Sequence, residues 1–404
     1  MISIAKADAL ISQNLKIFPV VNVSLKSAYG NVLREQLFAD RDVPPYDRAM
    51  MDGIAIKFSS FKNGVRTFPV KGIQKAGSRQ RLLKNPLTCI EVTTGAMIPK
   101  GCDCVIPYED IELLNGVATI KPATHIHQGQ FIHQKGQDAK KGTTLLKKGD
   151  RLLSPQIAAA ASVGKTMVAA SKAPLIAIVS TGDEIVDAAR KNIRSYQIRA
   201  SNAFAIESAL QLNGFHTTRR FHVKDDQKKV QDLLKQLLKN FEIIIISGGV
   251  SKGKCDYILN ALQALKTKII FHTVNQKPGK PFLFGKNQAG KYIFGLPGNP
   301  VAVQVCMTRY ILPNLINATG IKNPVKRQLA TLTKPVRPDT SRALLQPVKI
   351  VNPNDNKLRV KPIPMNNSGD LICLLESDGF IELKAGTYHP KGTTAPFYSW
   401  GNNS

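Results

Sequence analysis

The sequence predicts a multidomain protein of the α/β plus β class. A doubly wound, mostly parallel α/β domain is expected together with an inserted β domain and a C-terminal β domain. Three observations lead to this prediction. The 404 residues exceed what one ordinary hydrophobic core holds. Strand and helix patterns alternate between residues 171 and 321. Short apolar runs separated by glycine and proline fill residues 45–139 and 322–404.

The α/β domain is expected at residues 171–321, where strand-like and helix-like runs alternate. "APLIAIVSTGDE" predicts a buried strand, "SNAFAIESALQLNG" a helix, "FHTTRRFHV" a strand and "DQKKVQDLLKQLLKN" an amphipathic helix. "FEIIIISGG", "DYILNALQAL", "KIIFHTV" and "YIFGLPGNP" continue the alternation into the helical run "VAVQVCMTRYILPNLI". This spacing is typical of a parallel sheet whose right-handed crossovers place helices on both faces.

The remaining domains are predicted from shorter signals. An N-terminal helical and linker domain is expected in two segments, 1–44 and 140–170, on either side of the inserted β domain at 45–139. Apolar residues recur at helical spacing near the N-terminus, at Ile4, Ala7, Leu10, Ile11 and Leu15. This pattern predicts helix throughout the first 30 residues. After residue 322, the runs "ALLQPVKIV" and "KLRVKPIP" predict the short strands of the C-terminal domain.

The chain is strongly basic, with 56 Lys and Arg against 28 Asp and Glu, a net charge of +28. An anionic substrate, a nucleic acid or a merely solvated lysine surface would each account for this charge. Nucleic-acid binding is not favoured, because no recognition box or basic arm is present and aromatic residues make up only 6%. The six cysteines form no C-x-x-C pair and are expected to be reduced, as in a cytoplasmic protein. No apolar run approaches the roughly 20 residues of a membrane span.

Glycine-rich loops follow four predicted strands, at residues 180–184, 247–256, 275–281 and 295–300. In an open wound sheet, ligands bind outside the carboxyl ends of the strands. Glycine lets main-chain N–H groups approach a ligand, and such amides favour an anion such as phosphate. One glycine turn is usually structural, but four from one sheet edge are expected to converge. The predicted substrate-binding residues of these loops are Ser180, Gly182, Ser247, Gly248, Gly249, Ser251 and Gly298.

Charged residues in the same loops predict how the anion is held. Lys277 or Lys280 alone would more often be a solvated side chain, but the convergence of four loops favours both as ligands of the anion. Glu184 and Asp256 would repel a bare polyphosphate, but they are suitable ligands for a Mg²⁺ ion that bridges to it. Asp256 has a second interpretation as a helix-capping charge. Mg²⁺ is the predicted cofactor, with Glu184 and Asp256 as its metal ligands.

Several simpler motifs are absent. "GVSKGKCD" lacks the spacing of a Walker A loop, and "GLPGNP" is not the dinucleotide-binding G-x-G-x-x-G. No G-x-S-x-G elbow or Ser/His/Asp set stands out. His125, His127 and His133 lack an acid or a cysteine at ligand spacing, so they are expected to be surface histidines.

The chain contains six longer motifs, "MMDGIAI", "TTGAMIP", "STGDE", "SGGVSKGKCDY", "KPGKP" and "GLPGNPV". In order and spacing the chain resembles the MoeA family, the molybdopterin molybdenumtransferases, which include the E domain of gephyrin. The resemblance covers nearly the whole chain. It implies an elongated four-domain homodimer whose active site lies between the α/β domain of one subunit and the C-terminal domain of the other.

The resemblance also implies a reaction and a set of site residues. Adenylylated molybdopterin and molybdate would be the substrates, molybdenum would be placed on the dithiolene sulfurs, and AMP would be released with the help of a divalent cation. A molybdopterin adenylyltransferase is the expected partner. The matching positions implied as catalytic are Asp52, Glu184, Asp256, Lys277 and Lys280, with Asp52 reaching the site of the partner subunit. The positions implied as substrate-binding are Thr94, Asp138, Asp225 or Asp226, Pro297, Pro300 and Ser368.

The chain departs from the family pattern at Thr273, Ala302, Ala200 and Pro347, where many members have lysine, serine, an acid and arginine. These departures bear on the molybdate contacts, and Lys252 and Lys254 are candidates to compensate. Two other classes of function remain as alternatives. One is a molybdopterin adenylyltransferase-like or nucleotide-binding protein that shares the α/β domain. The other is a non-catalytic scaffold of the same fold.

Overall fold

The computed structural model describes residues 1–250, 257–324, 328–338, 341–351 and 357–401. The chain divides into two compact units. The first comprises Met1–Glu35, Lys148–Ala158 and Thr166–Ser404. The second comprises Gln36–Lys147 and Ala159–Lys165. The predicted multidomain α/β plus β class is confirmed, whereas the four-domain boundaries stay a prediction.

The N-terminal part of the chain is mainly β. Its helices are α1 Ile4–Asn14, α2 Phe58–Lys62 and α3 Ser154–Ser162. Its strands are β1 Val20–Ser24, β2 Leu37–Phe38, β3 Arg48–Ala49, β4 Gly53–Ile56, β5 Thr67–Gln74, β6 Cys89–Val92, β7 Cys104–Pro107, β8 Ile111–Leu114, β9 Val117–Ile120, β10 Ile132–His133, β11 Thr144–Leu146 and β12 Met167–Ser171. Single turns of 3₁₀ helix occur at Leu25–Ser27 and Tyr108–Asp110.

Helix is confirmed at the N-terminus only as far as Asn14. Beyond it, β1 pairs antiparallel with β12, so the expectation of helix throughout the first 30 residues was wrong. The local sequence explains the change. Pro19 precedes three β-branched valines, and both features disfavour helix and favour an extended strand.

The second unit is built on a six-stranded sheet of order β7-β4-β6-β5-β9-β8. Most of its neighbours are antiparallel, and only β5 and β6 run parallel. Alternate residues of its strands bury one face, in a cluster that includes Ile54, Ile56, Phe68 and Ile106.

The α/β part contains most of the long elements. Its strands are β13 Ile176–Thr181, β14 Ile185–Val186, β15 Ile198–Arg199, β16 Thr218–Val223, β17 Ile243–Ser247, β18 Lys268–Thr273, β19 Gln276–Lys277, β20 Pro281–Lys286 and β21 Tyr292–Leu296. Its helices are α4 Asn202–Leu212, α5 Gln227–Asn240, α6 Tyr257–Ala264, α7 Pro300–Cys306 and α8 Leu312–Ala318, and a π-helical turn at Met307–Ile311 joins the last two.

The central sheet has the order β16-β13-β17-β21-β20-β18. The first four strands are parallel, as predicted. The run Pro281–Lys286 forms an additional strand that was not predicted from the sequence, and it lies antiparallel between β21 and β18. Because β18 is antiparallel to β20, it points in the same direction as the four parallel strands. Its carboxyl end therefore lies at the same sheet edge as theirs.

The four isoleucines of β17 show why this sheet is doubly wound. All four are completely buried. Ile243 and Ile245 pack in the cluster that contains residues of α4 and α7, whereas Ile244 and Ile246 pack in the cluster that contains residues of α5 and α6. Successive strand residues point to opposite faces, so a continuous apolar run is what a strand covered by helices on both faces requires.

The C-terminal part forms a small closed barrel. Its strands are β22 Gln328–Leu332, β23 Ala343–Val351, β24 Arg359–Pro362, β25 Gly379–Leu383 and β26 Thr394–Ser399, and its helix is α9 Leu371–Glu376. Strand β23 pairs with both β24 and β25, so the sheet β23-β24-β22-β26-β25 returns to its first strand. The short strand β19 pairs in parallel with the first two residues of β23, Ala343 and Leu344. Part of the predicted lysine loop is thus also part of this C-terminal sheet.

Within the described ranges, no helix has both the length and the apolar composition that a membrane span requires.

Candidate functional site

The loops at the carboxyl edge of the central sheet are tied to one another by side-chain hydrogen bonds. The carboxamide of Asn202, at the start of α4, donates to the Ser247 hydroxyl at 3.0 Å and to the Gly298 carbonyl at 2.6 Å. The Ser247 hydroxyl in turn donates to the carbonyl of Pro297 at 3.4 Å. The loop after β17 and the loop after β21 are therefore held side by side, as predicted for convergent strand ends.

The loop after β17 also lies directly against the end of β13. Gly248 and Gly249 both have positive φ angles, of 94° and 63°. A Cβ atom on Gly248 would lie 2.7 Å from the Thr181 hydroxyl and 3.0 Å from the Thr181 carbonyl oxygen. Glycine is thus required at this position both by backbone conformation and by space.

The loop after β21 contacts a segment of the C-terminal part of the same chain. The side-chain amide of Asn299 donates to the Ser368 hydroxyl at 2.5 Å. The main-chain N–H of Val301 donates to the Ser368 carbonyl at 3.1 Å. Pro300 begins α7, where the missing N–H of proline costs no helical hydrogen bond. The structure thus brings Ser368 to the loop that contains Pro297 and Pro300.

Acidic residues gather beside the loop after β13. Burial raises the pKa of Asp225 above its ordinary value, and the nearby carboxylates of Glu184 and Asp183 raise it further. The imidazole of His222 donates from Nε2 to the Gly182 carbonyl at 3.0 Å. The Glu184 carboxylate lies over Gly182, within 2.8 Å of where a Cβ atom would be. Glu184 and Asp225 are thus brought together, as are Gly182 and Glu184.

The lysine loop leads out of β18. Lys277 lies in β19 opposite Leu344 of β23, and it is half-buried. Lys280 is exposed, and its carbonyl accepts a hydrogen bond from the N–H of Val274 at 3.0 Å. The peptide bond between Lys277 and Pro278 is cis. The two lysines stand at the two ends of a short turn on the carboxyl side of β18.

Three predicted residues lie in the second unit. Thr94 donates to the Asp52 carboxylate from its main-chain N–H at 2.9 Å and from its hydroxyl at 3.1 Å. Asp138 accepts a hydrogen bond from Nε2 of His133 at 2.9 Å. Nδ1 of that ring lies 3.0 Å from a guanidinium nitrogen of Arg48. His133 is therefore paired with an acid, which the sequence spacing did not indicate.

Three family models match this chain over nearly its whole length. "MoeA N-terminal region (domain I and II)" matches residues 2–164, "Probable molybdopterin binding domain" matches 177–317, and "MoeA C-terminal region (domain IV)" matches 330–400. A Synechocystis protein named molybdopterin molybdenumtransferase is 36% identical over 402 residues, which cover 99% of this chain and 100% of the relative. The chain belongs to the MoeA family.

Further comparisons agree with this assignment. A Staphylococcus aureus molybdopterin molybdenumtransferase is 29% identical over 386 residues, 91% of this chain and 88% of the relative. The crystal structure of a molybdopterin biosynthesis MoeA protein from Pyrococcus horikoshii superposes with a TM-score of 0.80 at 27% identity and covers all of both chains. The family predicted from the motifs is confirmed. The chain is an enzyme of the molybdopterin molybdenumtransferase type, with a role in molybdenum cofactor biosynthesis.

Several predicted site residues lie outside the described residues. They are Ser251 and Asp256, and the lysines suggested as compensating, Lys252 and Lys254. Within the described ranges, no three His, Cys, Asp or Glu side chains form a group that would hold a metal ion. The predicted Mg²⁺ site at Glu184 and Asp256 thus stays a prediction, and so do the roles of the individual site residues.

Sequence reasoning missed the residues that hold these MoeA loops in place. Asn202 stands at the start of the predicted helix "SNAFAIESALQLNG" and was not among the predicted site residues, yet its side chain connects two loops. His222 bonds Gly182, and the imidazole of His272 donates to the Val250 carbonyl at 2.8 Å. The sequence offered one signal for Asn202, which is a polar residue at the first position of a helix that follows a sheet edge. Nothing in the local sequence pointed to the two histidines.

Proposed function

We propose that this chain transfers molybdenum from molybdate to adenylylated molybdopterin and releases AMP. The dithiolene sulfurs of the pterin receive the metal, and the phosphoanhydride bond is hydrolysed. The names of the relatives support the transferase class. The adenylylated form of the substrate is the part of this proposal that rests on the family resemblance and on the chemistry of the loops.

The convergence of glycine loops at one sheet edge carries the proposal. Asn202 holds the loop after β17 beside the loop after β21, and Thr181 packs directly under Gly248. Main-chain N–H groups of such loops bind phosphate oxygens closely, since no side chain stands in the way. A substrate with a diphosphate and a nucleotide presents the kind of anion that this edge suits.

Positive charge from the lysine loop supports the same substrate. Lys277 and Lys280 flank the turn that follows β18, whose carboxyl end is at this edge. Their ammonium groups would bind oxygens of molybdate or phosphate and offset the charge that develops during transfer. Because each charge-assisted bond contributes about 1.5–3 kcal/mol, a few are enough for micromolar binding.

The acidic residues fit a supporting Mg²⁺ ion rather than a dedicated metal centre. The carboxylates of Glu184 and Asp225 are close enough for one to raise the pKa of the other. Mg²⁺ prefers oxygen ligands and commonly takes only one or two carboxylates, with substrate phosphates and water as the remainder. Glu184 and Asp225 would hold the ion, together with Asp256 of the prediction. When bound, the ion would neutralise charge on the phosphoanhydride.

The experiment that tests this function measures AMP release from adenylylated molybdopterin by the purified protein. We expect release to require both molybdate and Mg²⁺. No release, or release at the same rate without molybdate, would contradict the proposed reaction.

Two lysine variants from the same hairpin sharpen this test. Lys280 is at the carboxyl end of the β18 turn, whereas Lys268 begins β18 at the opposite edge of the sheet, and both are exposed. Lys280→Ala should lower kcat/KM about 10- to 100-fold, because it removes a charge-assisted contact. Lys268→Ala should leave kcat/KM unchanged. Equal effects of the two substitutions would remove Lys280 from the anion site.

Homodimer formation and a molybdopterin adenylyltransferase partner belong to the proposal on the strength of the resemblance alone. Asp52, Thr94 and Asp138 are proposed to serve the site of a partner subunit. Sedimentation of the purified chain at several concentrations would test the dimer, and a species with the mass of one chain throughout would contradict it.

A further inference from the structure

A fully buried glutamine lies immediately before the first lysine of the lysine loop. Gln276 has no exposed surface, although burying an amide without partners costs free energy. Its side chain is directed into the turn that it precedes. Nε2 donates to the carbonyls of Pro278 at 3.1 Å and Gly279 at 3.3 Å. It also lies 3.7 Å from the Sγ atom of Cys306.

The hydroxyl of Tyr310 fixes the orientation of this amide. It donates to Oε1 of Gln276 in a short hydrogen bond. Burial is the main cause that raises the pKa of Tyr310, so the phenol keeps its proton and acts as the donor. With Oε1 engaged as acceptor, Nε2 faces the two carbonyl oxygens of the turn. The opposite orientation would place Oε1 against two carbonyl oxygens, which is unfavourable.

Tyr310 is itself held rigidly. Its ring is completely buried and stacks on Phe282 of β20, with the ring centroids 4.9 Å apart. It lies in the π-helical turn between α7 and α8, where the N–H of Leu312 donates to the carbonyl of Met307. Pro313 explains this turn, because its ring lacks an N–H and would clash with the carbonyl of Arg309 in a regular α-helix.

We propose that Gln276 and Tyr310 are positioning residues that hold the Lys277–Lys280 turn in the conformation that binds the oxyanion. The proposal rests on the proposed function, since it assigns the two lysines to the substrate anion. Neither residue touches the substrate. The Tyr310 hydroxyl orients the Gln276 amide, the amide binds two carbonyls of the turn, and the turn presents a lysine at each end. This arrangement removes conformational freedom before binding, so the anion binds without ordering the turn.

The test compares two variants in which a tyrosine loses its phenolic hydroxyl. Tyr310→Phe removes the hydroxyl that binds Gln276. Tyr292→Phe removes a hydroxyl that is also buried in the same core cluster, but that contacts Asn14 and Lys16 at the other edge of the sheet. Gln276→Met provides a second variant, because it keeps the length of the side chain and loses the amide. The two readouts are hydrogen exchange of peptides that cover residues 274–281 and the kinetics of AMP release.

We expect Tyr310→Phe and Gln276→Met to speed amide exchange in residues 274–281 about five- to tenfold, as loss of one buried hydrogen bond would. KM for molybdate should rise by a similar factor while kcat changes less, since binding rather than chemistry is weakened. Tyr292→Phe should alter neither readout. A purely structural role would lower stability in all three variants and leave KM for molybdate unchanged.

The outcomes separate this inference from the proposed function. If the wild-type protein releases no AMP with molybdate, the proposed function is wrong, and the exchange experiment still decides whether the turn is held by Gln276. If the wild type is active but Tyr310→Phe matches Tyr292→Phe in exchange and in KM, the positioning role is overturned. Should one variant fail to fold, the other decides by the same two readouts.

Discussion

Replacing Gly248 by alanine is the substitution that most directly perturbs the convergence of the sheet-edge loops. The new Cβ atom would lie 2.7 Å from the Thr181 hydroxyl and 3.0 Å from its carbonyl oxygen. The carbonyl has little room to move, because Thr181 is paired with Val223 in the sheet. The φ angle of 94° adds a conformational cost for any L-residue with a side chain.

The size of the expected loss of stability follows from these two costs. A left-handed conformation costs a non-glycine residue about 1–2 kcal/mol. Overpacking by one methyl group costs about 1–3 kcal/mol more. Gly248→Ala should therefore destabilise the first unit by about 2–5 kcal/mol. Gly298→Ala is the matched control, since its Cβ would meet only the Gly248 Cα at 3.9 Å.

Urea unfolding followed by tryptophan fluorescence measures the difference in stability between the two variants. The chain has one tryptophan, Trp400, which packs on the core of the first unit. The fluorescence midpoint of Gly248→Ala should fall well below that of Gly298→Ala, which should remain near wild type. The kcat/KM for AMP release should fall with it, as the loop after β17 is displaced. Equal midpoints for the two variants would refute the close packing of Gly248 on Thr181.

Three further predictions concern other contacts of the first unit. Asn202→Ala should lower kcat/KM for AMP release about tenfold, by the loss of two hydrogen bonds between loops; an unchanged value would remove Asn202 from loop positioning. Arg309→Met should lower the free energy of unfolding by about 3 kcal/mol, because it removes the guanidinium that lies 2.6 Å from the Asp8 carboxylate and 2.8 Å from that of Glu382. A urea midpoint equal to that of the wild type would contradict this prediction. Folding raises the pKa of Asp225 above the ordinary carboxyl value of 3.8. The wild type therefore loses stability as the pH rises from that value through the higher pKa of the folded state. Asp225→Asn should therefore raise the urea midpoint at about pH 7, and the gain should vanish near pH 4; a lower midpoint at neutral pH would contradict this sign.

The sheet could be predicted because its signals are local and strong. The four successive isoleucines of β17 predict a strand buried on both faces, and the two glycines that follow Ser247 predict a close backbone approach at its end. The structure has both features. The amphipathic helix α5 is equally local. Val230, Leu234, Leu237 and Leu238 face one side, and Asp226 caps its first turn.

The rest could not be predicted because it depends on contacts between residues far apart in the chain. Strand β20 has the apolar character of its neighbours, and nothing local sets its antiparallel direction. Strand β19 is two residues long and forms only because β23, more than sixty residues later, is there to pair with it. The bond of Asn202 to the Gly298 carbonyl spans 96 positions. Sequence spacing within a motif carries no information about such a bond.

A crystal structure with AMP and molybdate bound would test the central claim most directly. The account predicts a phosphate oxygen at the main-chain N–H group of Gly249, beside the loop that begins at Pro297, because the N–H of Gly248 already donates to the Leu296 carbonyl at 3.1 Å. It also predicts an oxyanion near the Lys277–Lys280 turn. Ligands bound away from the carboxyl edge of the sheet, with these loops unoccupied, would contradict it.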